Sequence, residues 1–440
     1  MLLYESQNNR AAEAVEIELL LSSEQIAAAS RWQSLEKSVK DTGLTNSWPW
    51  IKAWIDHYGD IVQLIYAFGK QNNQTIGAAL ITKPIWRKSG FAIPCLHLGT
   101  AGEPRCETCV EYNRLLVAPE NLVAFAVGLM RILQQRFRWS ALRFDGFVPE
   151  HTHALMRASA SVGLQFRVDE RKCPVFNFQK AEGEGYQDVL SALGNHTRYN
   201  IRRSLRLFDR NFGQRSIEWA KTPEQAKGIL RELIHLHQKR WESVGNPGAL
   251  KSDRVRRYHE DLIDTLSLWP QGSLIVFRLK QGETTIGCLF NLVDGDGRVM
   301  AKISGLPQFE DSKLKPGLVT HAICMEECRR RGLFLEGEKS SRQGGLAEEA
   351  CRNRRLLSYD FLAGEALYKE QLSNMESSLT WATVRRGPCM WLFDKAQPPF
   401  QLTRKFMRGK VKASKPLRKV AVHAKVWLRK RGWYIKYTEN

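Results

Sequence analysis

The chain has 440 residues, 43% of them hydrophobic, and a formal charge of +20 from 66 basic and 46 acidic side chains. That length allows two or three domains of the usual ~100–200 residues. No window approaches the ~18 uninterrupted apolar residues of a membrane span, and Glu5 and Arg10 break the N-terminus before an apolar run could serve as a secretory signal, so the expected place is the cytoplasm. Nine cysteines, an odd number without framework spacing, argue against a disulfide scaffold.

In chain order, helical sequence leads into "LIYAFGKQNNQTIGAAL", Leu64 to Leu80: an apolar strand, a polar turn over Gly69 to Asn73, and a second strand opening at Ile76-Gly77. A strand in "FAIPCLHLG" follows. Here Cys95, His97, Cys106 and Cys109 raise the question of zinc, but only the last two have the C-x-x-C spacing, and no metal is expected. An amphipathic helix over Leu122 to Gln135 and a strand around Asp145 complete a first unit, residues 15–179. "AEGEGYQDVLSALGNHT" connects it to a second, residues 186–386.

The second unit opens with a helix over Thr197 to Phe212. Ile201, Leu205, Phe208 and Phe212 form its apolar stripe; Arg198, Arg202, Arg203, Arg206 and Arg210 take the rest, as a solvated face or an anion-binding one. On a later helix His237, Arg240 and Trp241 share a face. "LIVFRLKQGETTIGCLF", Leu274 to Phe290, then repeats the first hairpin: Leu64, Ile65, Lys70, Gln71, Thr75, Ile76 and Gly77 recur 210 positions later as Leu274, Ile275, Lys280, Gln281, Thr285, Ile286 and Gly287. The flanks correspond too, with a strand in "GRVMAKISG", a helix over Leu318 to Arg331 and a strand around Asp360. A hairpin alone buries no core, so a duplicated α/β unit is the economical reading. "GPCM" and "KAQPPF" end the compact part, leaving residues 387–440 as a tail. From Gln401 on, thirteen basic residues face one acid, so the tail carries +12 of the +20. Leu417 to Arg431 reads as a basic amphipathic helix, suited to docking on the protein, to nucleic acid, or to anionic lipid beside Trp427 and Trp433; nucleic acid is the weakest of the three, since no recognised binding module accompanies the charge.

The order strand, hairpin, strand, helix, strand with a central Ile-Gly resembles the GNAT acyltransferase fold. Several motifs narrow the likeness to CelD-type tandem GNAT proteins, acyltransferases associated with bacterial cellulose and exopolysaccharide genes. They are "NSWPWIKAWIDHYGD", "YNRLLVAPE", "HTRYNIRRSLRLFDRNFG", "LHQKRWESVG", "KLKPGLVTHAI" and "YDFLAGEALYKEQL", spread from Thr45 to Leu372. The resemblance implies an α/β (α+β) chain with two tandem GNAT-like domains, each a mixed, mostly antiparallel sheet flanked by helices. It also implies acyl-CoA, acetyl-CoA first, as donor, and a sugar, sugar-nucleotide or polysaccharide precursor as acceptor. The related FemXAB aminoacyltransferases draw instead on charged tRNA, and a non-catalytic component of a polysaccharide-secretion complex is a third reading. The segment between Gly332 and Tyr359 is longer than the family pattern, and the tail lies outside it.

Acyl transfer from a thioester needs the donor held, a nucleophile deprotonated and an oxyanion stabilised. By the resemblance, Val299 to Gly305 is the fourth strand, whose backbone near Lys302, Ile303 and Ser304 meets the pantetheine arm. Pro316 and Gly317 open the helix that faces the pyrophosphate, with Lys313 and Lys315 beside it. Arg202, Arg203, Arg240, Trp241 and Tyr368 are candidate substrate contacts. Lys369 is matched to the residue thought to face the acyl carbonyl; the other reading is a surface lysine. Asp360, Glu365 and His237 are candidates for the base, with water or the substrate itself as alternatives.

Overall fold

The computed structural model describes residues 15–40, 42–84, 94–103, 107–245, 248–268, 273–334, 355–364 and 366–387. They form two compact units. One holds residues up to Ile51, Tyr58–Glu170 and the strand from Thr380; the other holds Lys52–His57 and Arg171–Leu379. The basic tail and most of the long segment before Tyr359 lie outside the described residues.

The first stretch of chain runs β1 (Glu16–Leu21), α1 (Gln25–Ser38), α2 (Trp48–Tyr58), β2 (Val62–Gln71), β3 (Gln74–Pro84), β4 (Cys95–Leu98), β5 (Leu116–Val117), α3 (Leu122–Arg136), β6 (Ala141–Phe147) and α4 (Pro149–Ser161). After these come β7 (Gln165–Asn177), α5 (Phe178–Gly183), α6 (Val189–Ala192), α7 (Asn195–Phe212), β8 (Arg215–Trp219), α8 (Pro223–Ser243), α9 (Asp253–Ser267), β9 (Ser273–Gln281), β10 (Thr284–Val293), β11 (Arg298–Gly305), α10 (Pro316–Phe334), β12 (Ser358–Asp360), α11 (Leu367–Gln371) and β13 (Met375–Arg385).

Each unit is a mixed, mostly antiparallel sheet flanked by helices. The first has the order β1-β2-β3-β4-β6, with residues 380–385 of β13 antiparallel to β6. The second has β8-β9-β10-β11-β12, with residues 175–177 of β7 antiparallel to β12. In both, one pair is parallel, β4 with β6 and β11 with β12, and a helix makes the crossover that parallel strands require: α3 in one, α10 in the other. Beside each hairpin stands an edge strand, β1 or β8, that the sequence pattern did not announce.

The repeated residues explain themselves in this setting. Both hairpins close through two-residue turns tighter than the polar stretches suggest, since β2 runs to Gln71 and β3 starts at Gln74. Asn72 and Asn73 have φ of 48° and 61°, as a turn matching the strand twist requires. The counterpart Gly282 has φ 54°. Gly77 and Gly287 let the crossover helix lie close on the strand. A Cβ at Gly77 would sit 2.9 Å from the Phe125 ring of α3, and one at Gly287 would sit 2.5 Å from Thr320 Oγ1 of α10. Around Phe125 the first core gathers Ile65, Ile81, Leu129 and Phe144; the second gathers Ile275, Leu289, Val299, Met325 and Tyr359.

Candidate functional site

In the second unit β11 and β12 pair over three positions only, Arg298 with Ser358, Val299 with Tyr359 and Met300 with Asp360. Beyond these, among the described residues, no strand pairs with β11 on that side as far as Gly305, and β10 holds the other side. Its register with β10 passes from Ala301 to Ile303, so Lys302 is the extra residue of a β-bulge, the device that re-aims a strand at the edge of a site. Lys302, Ile303 and Ser304 thus share the stretch where two parallel neighbours diverge.

The loop after β11 returns to the start of α10. Phe309 packs against Phe208 and Phe212 of α7, and the Lys315 N–H donates to the buried Ser204 Oγ at 2.9 Å. Pro316 takes the first helical position, where a missing N–H costs nothing, and Gly317 follows with Leu306 close by. The free N–H groups and dipole of such an end favour an anion. On α7, beside Ser204, Arg203 is half-buried, bonded to Asn200 and placed over the Tyr199 ring, while Arg202 points to solvent.

Past β12 the chain turns sharply. The buried Asp360 accepts the Leu362 N–H at 2.6 Å, and Leu362 sits at φ 60°, an unusual conformation for a leucine. The turn directs two carbonyls at one ammonium: Lys369 Nζ donates to Leu362 O at 3.2 Å and to Ala363 O at 3.1 Å. A Cβ on Gly364 would lie 3.2 Å from that nitrogen. Glu365 lies outside the described residues.

Next to Lys369, Tyr368 stacks on His321 of α10 at 5.4 Å and 19°, with Phe361 edge-on to both. His321 Nδ1 lies 2.9 Å from Tyr359 Oη, which lies 3.4 Å from Asn291 Oδ1; Asn291 Nδ2 donates to Cys324 Sγ. Read with Nδ1 as donor, the bonds run one way from ring to phenol to amide, and the Nε2 lone pair is buried without a hydrogen-bond partner among the described residues. Burial, helped by the nearby Lys369 charge, pushes the His321 pKa down to about 3. Burial also raises the Tyr368 hydroxyl, and the Arg240 charge opposes it, which brings Arg240 into this neighbourhood. Sequence reasoning missed His321. The signal was its place one turn after Gly317, on a helix whose motif was read only for its start.

His237 and Trp241 pair with each other. The indole Nε1 donates to His237 Nε2 at 2.9 Å, and burial takes the ring down to about 4, with the Gln238 contact opposing and the Arg240 charge adding to the effect. The lone pair a base would use is therefore engaged by Trp241. The structure thus gathers Tyr368, Lys369 and Asp360 around the β12 turn, with Arg240 felt there electrostatically. It puts Lys302, Ile303 and Ser304 on β11, Lys315, Gly317 and Ser204 at the α10 start, and sets His237 with Trp241 on α8. Among the described residues no group of three or more His, Cys, Asp or Glu is arranged to hold a metal ion, and no helix is long and apolar enough to cross a membrane. Cys106 lies outside them.

Residues 195–337 match the family described as Acetyltransferase (GNAT) domain. That span runs from the first turn of α7 to the end of α10 and contains the bulged strand and the helix start. No curated protein matches the chain. Among solved structures, FemX is similar at 10% identity and a TM-score of 0.50, over 80% of this chain and 95% of that one. A tandem GNAT protein from the clavulanic acid biosynthesis pathway is similar at 10% identity and a TM-score of 0.43, over 85% and 99%. A conserved protein of unknown function from Bacteroides thetaiotaomicron VPI-5482 follows at 9% and 0.45, over 84% and 100%. The second unit thus holds a stretch that matches the GNAT acetyltransferase domain, and the likeness to FemX is one of fold alone. A GNAT domain implies an acyl-CoA donor; the part of β11 beyond its pairing with β12 and the α10 start are groups of the kind such a donor needs.

Proposed function

We propose that the second unit transfers an acyl group, acetyl in the first instance, from acyl-CoA to an amino or hydroxyl group of a sugar, sugar-nucleotide or polysaccharide precursor. The observation that carries the reading is the divergence of β11 from β12 beside the Pro316-Gly317 helix start, inside the span matched to the GNAT domain. In this reading backbone groups from Lys302 to Ser304 pair with the pantetheine amides, and the α10 N-terminus with Lys315 and Gly317 meets the pyrophosphate. Arg202 and Arg203 add positive charge, and Arg240, Trp241 and Tyr368 contact the acceptor. Lys369 faces the carbonyl oxygen as it gains charge, and Asp360 holds the turn that aims it. His237 orients Trp241, and the acceptor's proton leaves to water or to a group of the acceptor. The likeness to CelD-type proteins supports the sugar-derived acceptor.

Residues 186–386 form the C-terminal GNAT-like domain that binds the donor and carries this transfer in the proposal, 15–179 the N-terminal GNAT-like domain, and 387–440 a basic tail that adsorbs to anionic membrane. The similarity to FemX favours one rival, an aminoacyl-tRNA-dependent transferase on a cell-wall precursor. Thermal unfolding with acetyl-CoA discriminates. A ligand at ~100 times its dissociation constant adds about 2.7 kcal/mol to stability. No shift with any acyl-CoA, together with tight binding of charged tRNA, would transfer the assignment to the rival.

A further inference from the structure

The first unit contains a group that the second unit's chemistry does not use. Cys95 opens β4 and His97 stands two residues on, so both side chains leave the same face of the strand. His97 is buried and lies between two partners: its Nε2 is 3.6 Å from Cys95 Sγ and its Nδ1 is 3.0 Å from Asp145 Oδ2 on the parallel neighbour β6. Arg143 Nη2 donates to the other Asp145 oxygen, Oδ1, at 2.7 Å. The two ring nitrogens face opposite partners, so the three groups do not converge on a point as metal ligands do. A thiol, an imidazole and a carboxylate in this order are the parts of a base-activated sulfur nucleophile. Cys95 is partly exposed and in no disulfide.

We propose that Cys95, His97 and Asp145 form a second reactive centre, in which Cys95 accepts an acyl group from a thioester. Cys95 gives its proton to His97 Nε2, and the sulfur then attacks the acyl carbon and a new carbon–sulfur bond forms. The bond from that carbon to the donor thiol breaks, its electron pair leaves on the donor sulfur, and the proton held on His97 Nε2 passes to it. Asp145 orients the ring and balances its charge. Donor and acceptor are both thiols, so the exchange needs no oxidant and no other co-reactant. Burial opposes a charge on His97, yet its bonds to Asp145 and Cys95 and their charges prevail and raise the ring to about 9. The ring thus holds the proton the leaving sulfur takes. Among the described residues, Arg143 and the buried Glu103 also bring charge to the cluster.

The proposal does not rest on the reaction of the second unit. Its test is to incubate the full-length protein with acetyl-CoA at neutral pH and map acetyl groups by peptide mass, with the exposed thiol of Cys109 as internal reference. Neutral hydroxylamine releases a thioester and leaves an amide. The expected result is a hydroxylamine-labile acetyl on Cys95 that forms about 100-fold faster than on Cys109, the scale of general acid–base assistance. It should be absent in Cys95→Ser and comparably slowed in His97→Asn and Asp145→Asn. The rate ratio within the wild-type chain needs no variant to fold. Equal rates at Cys95 and Cys109 would overturn the proposal, as would fast alkylation of Cys95 by iodoacetamide with no acetyl transfer.

Discussion

Leu362 occupies a left-handed backbone conformation because Asp360 holds its N–H, and the carbonyls so turned are the ones that grip Lys369. A strained residue persists when its surroundings fix it, typically at a cost of ~1–3 kcal/mol. On the proposed role, Lys369→Ala should lower kcat by about 100- to 1,000-fold, since a charge that meets the developing oxyanion acts in the transition state. Acetyl-CoA affinity should stay within about twofold by titration; an unchanged kcat would make Lys369 a loop staple alone. His321 gives a pH test. Its folded pKa, about 3, lies below the ordinary 6.5, so the unfolded chain binds the proton first and stability falls as pH drops below 6.5. One such ring loses about 2 kcal/mol by pH 5. His237 and His259, lowered to about 4, and His151, lowered to about 3, act in the same sense, and His97 acts oppositely, losing its contribution as pH rises through about 9. Urea unfolding of His321→Gln at pH 7 and pH 5 should show a loss smaller than wild type by about 2 kcal/mol; equal losses would contradict the burial argument. That Asp360 and Lys369 meet at one turn follows from their place in a single sequence motif, whatever their role. The His321, Tyr359 and Asn291 chain was not legible in the sequence, since it joins three elements and no spacing rule links them.

The hairpins were the most legible elements, because a two-residue turn fixes register and register fixes which face each apolar residue takes. The spacing of Ile-Gly relative to the turn recurs in both hairpins for a packing reason visible at Gly77 and Gly287. Gly287→Ala should push α10 away from β10 and destabilise the protein by about 1–3 kcal/mol in a denaturant titration. Thr320→Ala removes the atom nearest the added methyl, and combined with Gly287→Ala it should recover part of the loss. No loss in the single variant would mean that the helix packs elsewhere. The helix over Thr197 to Phe212 was also legible: Ile201 and Phe208 are buried, with Leu205 and Phe212 packed beside them. The Lys302 bulge and the partners of β7 and β13 were not, since strand pairing is settled between segments far apart in the chain and leaves no local pattern.

At the scale of the whole chain, β13 carries a particular burden. Its residues 380–385 pair with β6, and Ala382 and Val384 enter the first unit's core. A protein ending at Leu379 should lose hydrogen-exchange protection over Ala141–Phe147, whereas one ending at Gly387 should keep it; retained protection in the shorter chain would contradict this pairing. The longer truncation also tests the tail, which lies outside the described residues. Each basic residue near an anionic surface contributes about 1 kcal/mol. The full-length protein should therefore sediment with phosphatidylserine vesicles, less so as salt rises, and the protein ending at Gly387 should not. Equal sedimentation would remove the tail from membrane binding. The central claim is that an acyl-CoA seats along β11 beyond its pairing with β12 and at the start of α10. Hydrogen exchange of the full-length protein with and without saturating acetyl-CoA addresses it most directly. The account predicts slowed exchange over residues 301–305 and 317–320, with no change over residues 141–147. Unchanged exchange in both stretches at saturation, with protection by charged tRNA instead, would contradict it.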